Sequence, residues 1–368
     1  MADTSVSYKC PNCGAPLTYQ PGKSTVSCEY CGTEFETNAI EEMFQAKREL
    51  AAKAEEAQIS KWNTENAGDE WSLTETENLH AFTCSSCGAE LVCDENTMAT
   101  ECVYCGNPTM IPKRFDGKLK PDLIIPFKKT KDDAVNALKN FYKGHYLLPS
   151  NFTANNRVEA IQPMYVPFWL FDSNVEAHAD FQAAKISRVE TPNEIITTKK
   201  VFSCHRAGKM NFEKIPADGS KKMDDAYMES IEPFNYAELV DFQTGFLTGY
   251  LADKYDVTAE ECSARADKRV ENSAIEVLQS SVKDFDMVTL ENSAVIKDGG
   301  KVLYVMVPVW ILTTRYNDVP YTFMMNGQTG KVVGSLPYDK TKAFLYPALC
   351  SLVLTPILYF IVKIILQS

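Results

Sequence analysis

Histidine is scarce in this chain. Its 368 residues contain four: His80, His145, His178 and His205. They share no metal-ligand spacing, and neither HExxH nor GxSxG occurs, so no metalloprotease helix or hydrolase elbow is written in the sequence. No Walker loop is present to cradle a phosphate. Cys204 and His205 are adjacent, but neighbours on a strand point to opposite faces. His205 therefore reads as a surface histidine beside a buried cysteine. Asp172, Glu176 and Asp180 fall in a polar strand and read as a solvated face. The expectation from these absences is that the protein is not an enzyme. Positive charge is also in deficit, with a net charge of −12. Residues 1–114 carry eight Lys/Arg against eighteen Asp/Glu. Nucleic-acid binding rests largely on Lys/Arg neutralising phosphates, and this half offers no basic stripe. The opening MADTSVSYKC has neither a basic n-region nor an apolar h-region, which predicts no signal peptide. A reducing compartment follows, and disulfides are disfavoured.

Cysteine, by contrast, is abundant and ordered. Of twelve cysteines, eight form two copies of one pattern. Cys10 and Cys13 are followed by Cys28 and Cys31; Cys84 and Cys87 are followed by Cys102 and Cys105. Every pair is CxxC, and a glycine follows each: Gly14, Gly32, Gly88 and Gly106. Two residues between thiolates let one tight turn chelate a single ion, and four thiolates suit a tetrahedral Cys₄ site. The glycine permits φ > 0 where the backbone must fold under the sulfurs. Two such knuckles on short hairpins make a zinc ribbon, so two structural zinc ions are expected. A rubredoxin-like iron site uses the same ligands. A redox dithiol would need a thioredoxin-like βαβ setting, which is not visible. The repeat extends past the cysteines at one offset: Tyr8 matches Phe82 and Leu17 matches Leu91, which indicates a duplicated module. Each Zn(Cys)₄ centre adds a charge of about −2 to an already acidic half. Cys93, Cys262 and Cys350 match no site. Glu29 and Tyr30, and Val103 and Tyr104, sit between paired cysteines at each second knuckle. Their side chains are free for recognition, or the tyrosines pack on the zinc sites.

The other end is apolar. Phe344 to Val362 reads FLYPALCSLVLTPILYFIV without a charge. As a helix its nineteen residues would span about 29 Å, the hydrocarbon thickness of a bilayer. Pro347 falls in the first turn, and Pro356 is of a kind tolerated in membrane helices. Tyr346 and Tyr359 lie near the ends, where interfaces favour them, and Lys363 can snorkel. Lys340 and Lys342 flank the near side, agreeing with an N-terminus in the cytosol. The segment 343–366 is thus expected to be a single C-terminal transmembrane helix.

Between these ends the expected organisation is ribbon 1 at 1–37, a helical and polar linker at 38–79, ribbon 2 at 80–114 and an α+β domain at 115–338. Asn38-Ala-Ile-Glu41 resembles a capping box, opening a helix to about Trp62. Ile40, Met43, Leu50, Ala54 and Ala57 recur at near-heptad spacing, interrupted by Lys47 and Lys61. This face reads as a loosely packed spacer or a partner-binding seam. Asn63 to Glu77 reads as a flexible connector. In the α+β domain, Asp122–Phe127 reads as a strand and Thr130 as the cap of a helix ending at Gly144. Met164–Phe171 and Val305–Leu312 echo one another, both carrying Val-Pro-x-Trp, with proline pointing to edges or bulges. Helices are expected over Tyr236–Lys254 and, from the capping box Thr258-Ala-Glu-Glu261, to about Val282. Asn326-Gly-Gln-Thr-Gly330 marks a hairpin turn. The order suggests α+β, built from two related halves.

CPNCGAPL, the second CxxCG pair, VPFW and VPVW, FLTGYLADKYDV at 246–257, NGQTGKVVG and the terminal apolar run occur in this order. The chain so resembles bacterial membrane proteins with a transcription-factor-IIB-type zinc ribbon. That resemblance implies a cell-membrane protein. The combined expectation is a membrane-anchored scaffold or adaptor, with its bulk in the cytoplasm, presenting zinc modules to protein partners. The competing readings are a membrane-tethered nucleic-acid-binding regulator and a membrane-associated hydrolase whose site is scattered in sequence.

Overall fold

The computed structural model describes residues 8–19, 22–58, 62–77, 79–94, 97, 99, 101–115, 119–155, 158–192, 194–298, 300–317 and 319–367. The leader reading on residues 1–7 and the interruption at Lys61 lie outside these, as do the side chains of Ala54 and Ala57. In chain order the elements begin with β1 (Thr18–Tyr19), β2 (Thr25–Ser27), β3 (Glu34–Glu36), α1 (Thr37–Gln58) and α2 (Leu73–Thr76). Next come β4 (Leu79–Cys84), β5 (Glu90–Asp94), β6 (Met110–Arg114), β7 (Leu123–Ile124), α3 (Lys131–Tyr142) and α4 (Ser150–Asn155). They continue through β8 (Gln162–Glu190), β9 (Ile195–Asp218), α5 (Asp225–Ile231), β10 (Val240–Asp241), β11 (Leu251–Asp253) and α6 (Ala259–Ser280). The last are β12 (Met287–Asp298), β13 (Val302–Tyr316), β14 (Val319–Asn326), β15 (Val332–Gly334) and α7 (Lys340–Gln367). The mixture is α+β, and the chain divides into two compact units that interleave in sequence.

The first unit comprises residues 1–66, 170–217 and 260–302. Its first ribbon is the antiparallel sheet β1-β2-β3. The long arms of β8 and β9 pair with each other, and β12 pairs with β8 antiparallel from Met287↔Ala184 to Asp298↔Asn174. Along β8, Val175, Ala177, Ala179, Phe181 and Ala183 are buried while the residues between them are more open, the period-two pattern of a one-sided sheet. On α6, Cys262, Ala266, Val270, Ala274 and Leu278 are buried. Four-residue spacing puts them on one stripe. Arg269 Nη1 donates to the Pro216 carbonyl at 2.9 Å and Gln279 Nε2 to that of Val288 at 3.2 Å, fixing α6 on β9 and β12. Helix α1 lies beside this chain's own β12; Ile40 is buried, while Met43 and Leu50 of its near-heptad series are half-buried.

The second unit comprises residues 67–169, 218–259 and 303–368. Its strands run β10-β7-β13-β8-β11-β5-β4-β6, with β14 and β15 beyond β13. Strand β11 lies parallel to the start of β8 and antiparallel to β5. The second ribbon (β4, β5, β6) therefore continues the main sheet instead of standing apart from it.

The two Val-Pro-x-Trp echoes lie on the central neighbours β8 and β13, not on edges as proline suggested. At each proline a loop amide takes the place of a ladder partner: Gly219 N–H donates to Pro167 O and Gly327 N–H to Pro308 O, both at 2.8 Å. A Cβ on Gly327 would meet Pro308 Cβ at 2.9 Å and the Phe127 ring at 2.7 Å, so only glycine fits there. Each tryptophan then donates its indole N–H to a carbonyl just ahead of a helix: Trp169 to Val257 at 2.9 Å and Trp310 to Lys129 at 3.0 Å. Asp218 and Asn326 precede the two glycines, and each accepts from the amide two residues on. One device used twice supports the two-halves reading.

Two sequence expectations fail here. Tyr236–Lys254 is not a helix but a succession of 3₁₀ turns and the short strands β10 and β11. Gly249 adopts φ +80, and Gly245 sits inside the segment, so its apolar spacing never meets a continuous helical backbone. The polar stretch 63–77 is not a free connector. In the first unit Asn63 bridges to Lys301 and, just ahead of it, Trp62 Nε1 donates to Asp267 at 3.0 Å. In the second, Gly68 N–H donates to Asp122 at 2.9 Å, and Trp71 meets the rings of Phe115 and Phe242 edge-on. Large aromatic side chains override the polarity of their neighbours.

Helix α7 runs 28 residues and contains Pro347 and Pro356. Asp339 caps it, accepting from the Thr341 amide at 2.9 Å. Lys340–Tyr359 is long and apolar enough to cross a membrane, and none of that window is buried. Among the described residues no residue of that window is fully buried, unlike those of a core helix.

Candidate metal centres

Both cysteine quartets converge. Cys10 Sγ lies 3.6 Å from Cys31 Sγ and Cys13 Sγ 3.4 Å from Cys28 Sγ. In the second quartet Cys84–Cys105 and Cys87–Cys102 are both 3.6 Å. In each quartet all four sulfurs lie within 4.8 Å of one another. Four sulfurs each about 2.3 Å from one zinc ion would be about 3.8 Å apart, so the spacing suits one tetrahedral ion per quartet. The sulfurs alone are the donors, which fits a closed structural site.

The same backbone turn builds all four knuckles. The glycine amide returns to the first cysteine's carbonyl: Gly14 to Cys10, Gly32 to Cys28, Gly88 to Cys84 and Gly106 to Cys102, at 2.8–2.9 Å. Those glycines have φ between +66 and +75, a conformation that costs other residues energy. Amides also point at sulfur: Asn12 N–H lies 3.4 Å from Cys10 Sγ and Ser86 N–H 3.4 Å from Cys84 Sγ. These donors favour thiolate. Burial opposes ionisation of Cys84, but the Cys87 and Ser86 amides prevail and draw it down to about 7. The Thr33 hydroxyl and amide draw Cys31 down to about 6. The Ala15 amide favours the Cys13 thiolate, yet burial and the neighbouring thiols push it up to about 12. Burial raises Cys102 further. Each quartet so holds one thiol ready to ionise beside others that yield their protons to a metal.

The quartets differ in what surrounds them. Ribbon 2 is embedded. Lys222 Nζ donates to Cys87 O at 2.9 Å, Thr313 Oγ1 to Val103 O at 2.6 Å and Arg315 Nε to Cys105 O at 3.3 Å. Two of these donors are cations beside a centre that carries about −2 when metallated. Tyr104 is half-buried, with its hydroxyl buried near Ser220 and Asp253, where burial and the Asp253 charge keep its proton on. It makes no hydrogen bond of good geometry. Ser220 Oγ donates to Asp253 Oδ2 at 2.6 Å, while burial lifts Asp253 to about 7. Ribbon 1 has a lighter frame: Tyr8 meets Phe44 of α1 at 5.1 Å, and Thr37 Oγ1 donates to Ser24 O at 2.7 Å. Its tip is open, with Tyr30 85% and Tyr19 56% exposed. The two tip tyrosines differ in exposure: Tyr30 is open, and Tyr104 is half-buried with a buried hydroxyl.

The sequence reading missed a cleft of about 910 Å³ in the first unit, lined in part by Lys9, Lys47, Asp180, Ser203, His205 and Glu291. Asp180 accepts from Lys47 Nζ at 2.8 Å and lies 2.8 Å from His205 Nδ1. Burial raises its pKa, but the two partners prevail and hold it below the ordinary range. His178 lies with its ring 6.1 Å from that of His205. These residues are 25 or more apart in sequence or alternate along β8, so only the folded sheet joins them. Asp180, its side chain only 16% exposed, is therefore not part of a solvated face, whereas the Glu176 side chain is 42% exposed. Of the other unassigned cysteines, Cys93 and Cys262 are buried and Cys350 is exposed on α7.

The chain is 32% identical over 337 residues to the uncharacterized protein YdjG of Bacillus subtilis (strain 168), covering 92% of each chain. No family model matches it. No solved structure matches it either.

Proposed function

From the premise that this chain belongs to the family of Bacillus subtilis YdjG, we propose that it is a membrane-anchored zinc-ribbon adaptor that presents a cytosolic zinc module to protein partners. The transcription-factor-IIB type of ribbon is part of this proposal, and so are the single C-terminal span and the cytosolic placement of the rest. The observation that carries the reading is the contrast between the two tip tyrosines, Tyr30 exposed and Tyr104 half-buried with its hydroxyl enclosed. Ribbon 2 spends Tyr104 and three knuckle carbonyls on its own unit. Ribbon 1 offers Tyr30 outward on a rigid turn. Tyrosine buries a large ring while keeping a polar tip, which suits a protein interface. Acidic surroundings favour a basic or apolar protein surface over phosphate.

The test is capture of partners from membranes by wild type, Tyr30→Ser and Tyr104→Phe. Tyr30→Ser should keep two zinc ions and lose most captured partner; Tyr104→Phe should keep both. Unchanged capture, together with DNA or RNA binding at physiological salt, would replace the adaptor with a tethered regulator. Carbonate-resistant membrane association should vanish when residues 344–366 are removed.

A second reading has one observation behind it. The Asp180–His205 pair in the cleft orients an imidazole through Nδ1, a feature shared with general-base histidines. Hydrolysis of ester or phosphoester substrates that His205→Ala abolishes without loss of zinc would favour the hydrolase.

A further inference from the structure

The outer arms of β8 and β9 lack the polar face that a solvated hairpin shows. Lys185 Nζ lies 5.4 Å over the Phe285 ring, and the Phe202 ring is 5.4 Å from the same ring, so Lys185 and Phe202 share one face. Strand alternation adds Ser187, Val189, Ile196, Thr198 and Lys200 to it. The opposite face carries Ile186, Arg188, Ile195, Thr197, Lys199 and Val201, so the charged side chains short of the turn are all basic and the uncharged polar ones are small. Val189 is 57% exposed, Ile195 50% and Ile196 46%, with Ile186, Val201 and Phe202 at 40–43%. A strand with one face in a core and one in water alternates apolar with polar. Here both faces are apolar and basic. The chain carries −12 overall, yet Ile195-Ile-Thr-Thr-Lys-Lys-Val-Phe202 holds two lysines and no acid. The acids of the hairpin, Glu190 and Glu194, cluster at its turn.

We propose that this hairpin docks on the headgroup region of an anionic lipid bilayer. Interfacial segments combine apolar side chains that enter the acyl boundary with Lys/Arg that meet lipid phosphates. Long basic side chains reach phosphate while their stems stay among apolar groups. The inference rests on the reading of α7 as a membrane anchor, which keeps a bilayer at high effective concentration and lets a weak second contact form. It assigns a lipid-facing role to a part of the chain separate from that anchor and from the ribbons.

The experiment uses the full chain in nanodiscs of phosphatidylcholine, alone or mixed with phosphatidylglycerol, with plain or brominated acyl chains. Val201→Trp is compared with wild type, whose four tryptophans supply the background. The added emission should be blue-shifted, be lost on brominated lipid, and show both effects more strongly with phosphatidylglycerol. Adding Lys199→Glu and Lys200→Glu should return it to a solvent-like, unquenched state at unchanged zinc content. Solvent-like emission from Val201→Trp in every lipid overturns the proposal. A blue shift that grows with protein concentration and ignores bromine also overturns it, and assigns the hairpin to a second copy of the chain. Carbonate release from the discs would sink the anchor reading instead, and the same quenching read on vesicles of the same lipids then decides the hairpin by itself.

Discussion

Ribbon 1 and ribbon 2 share cysteine spacing, knuckle turns and a tip tyrosine, yet ribbon 1 forms a sheet of its own while ribbon 2 is built into the large sheet. In ribbon 2, β5 pairs with β11 through Ala252↔Val92 and Asp253↔Leu91, and Leu91 is fully buried. Its counterpart Leu17 in ribbon 1 is only partly buried. Ribbon 1 closes its sheet on three short strands and meets its unit at the start of α1. A metal-held module needs no large core of its own. After duplication, one copy could therefore merge into a neighbouring sheet while the other stayed open.

Metal removal should separate the copies most sharply. Cys84→Ser and Cys10→Ser should each lower zinc from two ions to one. Cys84→Ser should also unfold most of the second unit, because binding energy on the order of 10 kcal/mol is lost from a ribbon continuous with its sheet. Thermal melts with elemental analysis read both effects. A second unit that melts normally in Cys84→Ser would break the contrast. Truncating the tyrosines comes next. Tyr104→Ser removes a half-buried ring and its enclosed hydroxyl and should destabilise by about 2 kcal/mol, whereas Tyr30→Ser should change stability by less than about 0.5 kcal/mol. Denaturant titration distinguishes them.

The buried Asp253 adds a pH dependence to the embedded side alone. Its folded pKa, about 7, lies above that of an unfolded carboxylate. Its contribution is therefore full below the ordinary carboxylate range and is lost as pH rises through about 7. Between about pH 4 and 7 the stability of wild type should fall with rising pH and then level off, and Asp253→Asn should flatten that slope. Equal slopes would show that the carboxyl is not protonated in the fold. A more local effect belongs to the Thr313 hydroxyl. Thr313→Val removes its bond to Val103 O and should cost about 1 kcal/mol with zinc content unchanged.

Cysteine spacing alone identified both metal sites, because four ligands two residues apart in pairs leave few other geometries. The helices α3 and α6, the β14–β15 hairpin and the apolar α7 were legible for the same reason: capping residues, an Asn-Gly turn and an uncharged run act locally. The failures came from long-range effects. Gly249 and the strand pairing of Leu251–Asp253 overrode an apolar spacing that resembled a helix. Pro167 and Pro308 sit at the sheet centre because distant glycine amides bond their carbonyls. Nothing near Asp180 in sequence announces Lys47 or His205, and nothing near Cys102 reveals that the Tyr104 hydroxyl would be buried by residues around 220 and 253. Which ribbon is open is likewise a property of the sheet it joins.

Hydrogen–deuterium exchange on full-length Cys10→Ser, with zinc counted on the same sample, tests the central claim most directly. The account predicts one zinc ion per chain, lost protection in residues 8–36, and unchanged protection in β4, β5 and β11. Two zinc ions retained, none retained, or protection lost across β5 and β11 would contradict it.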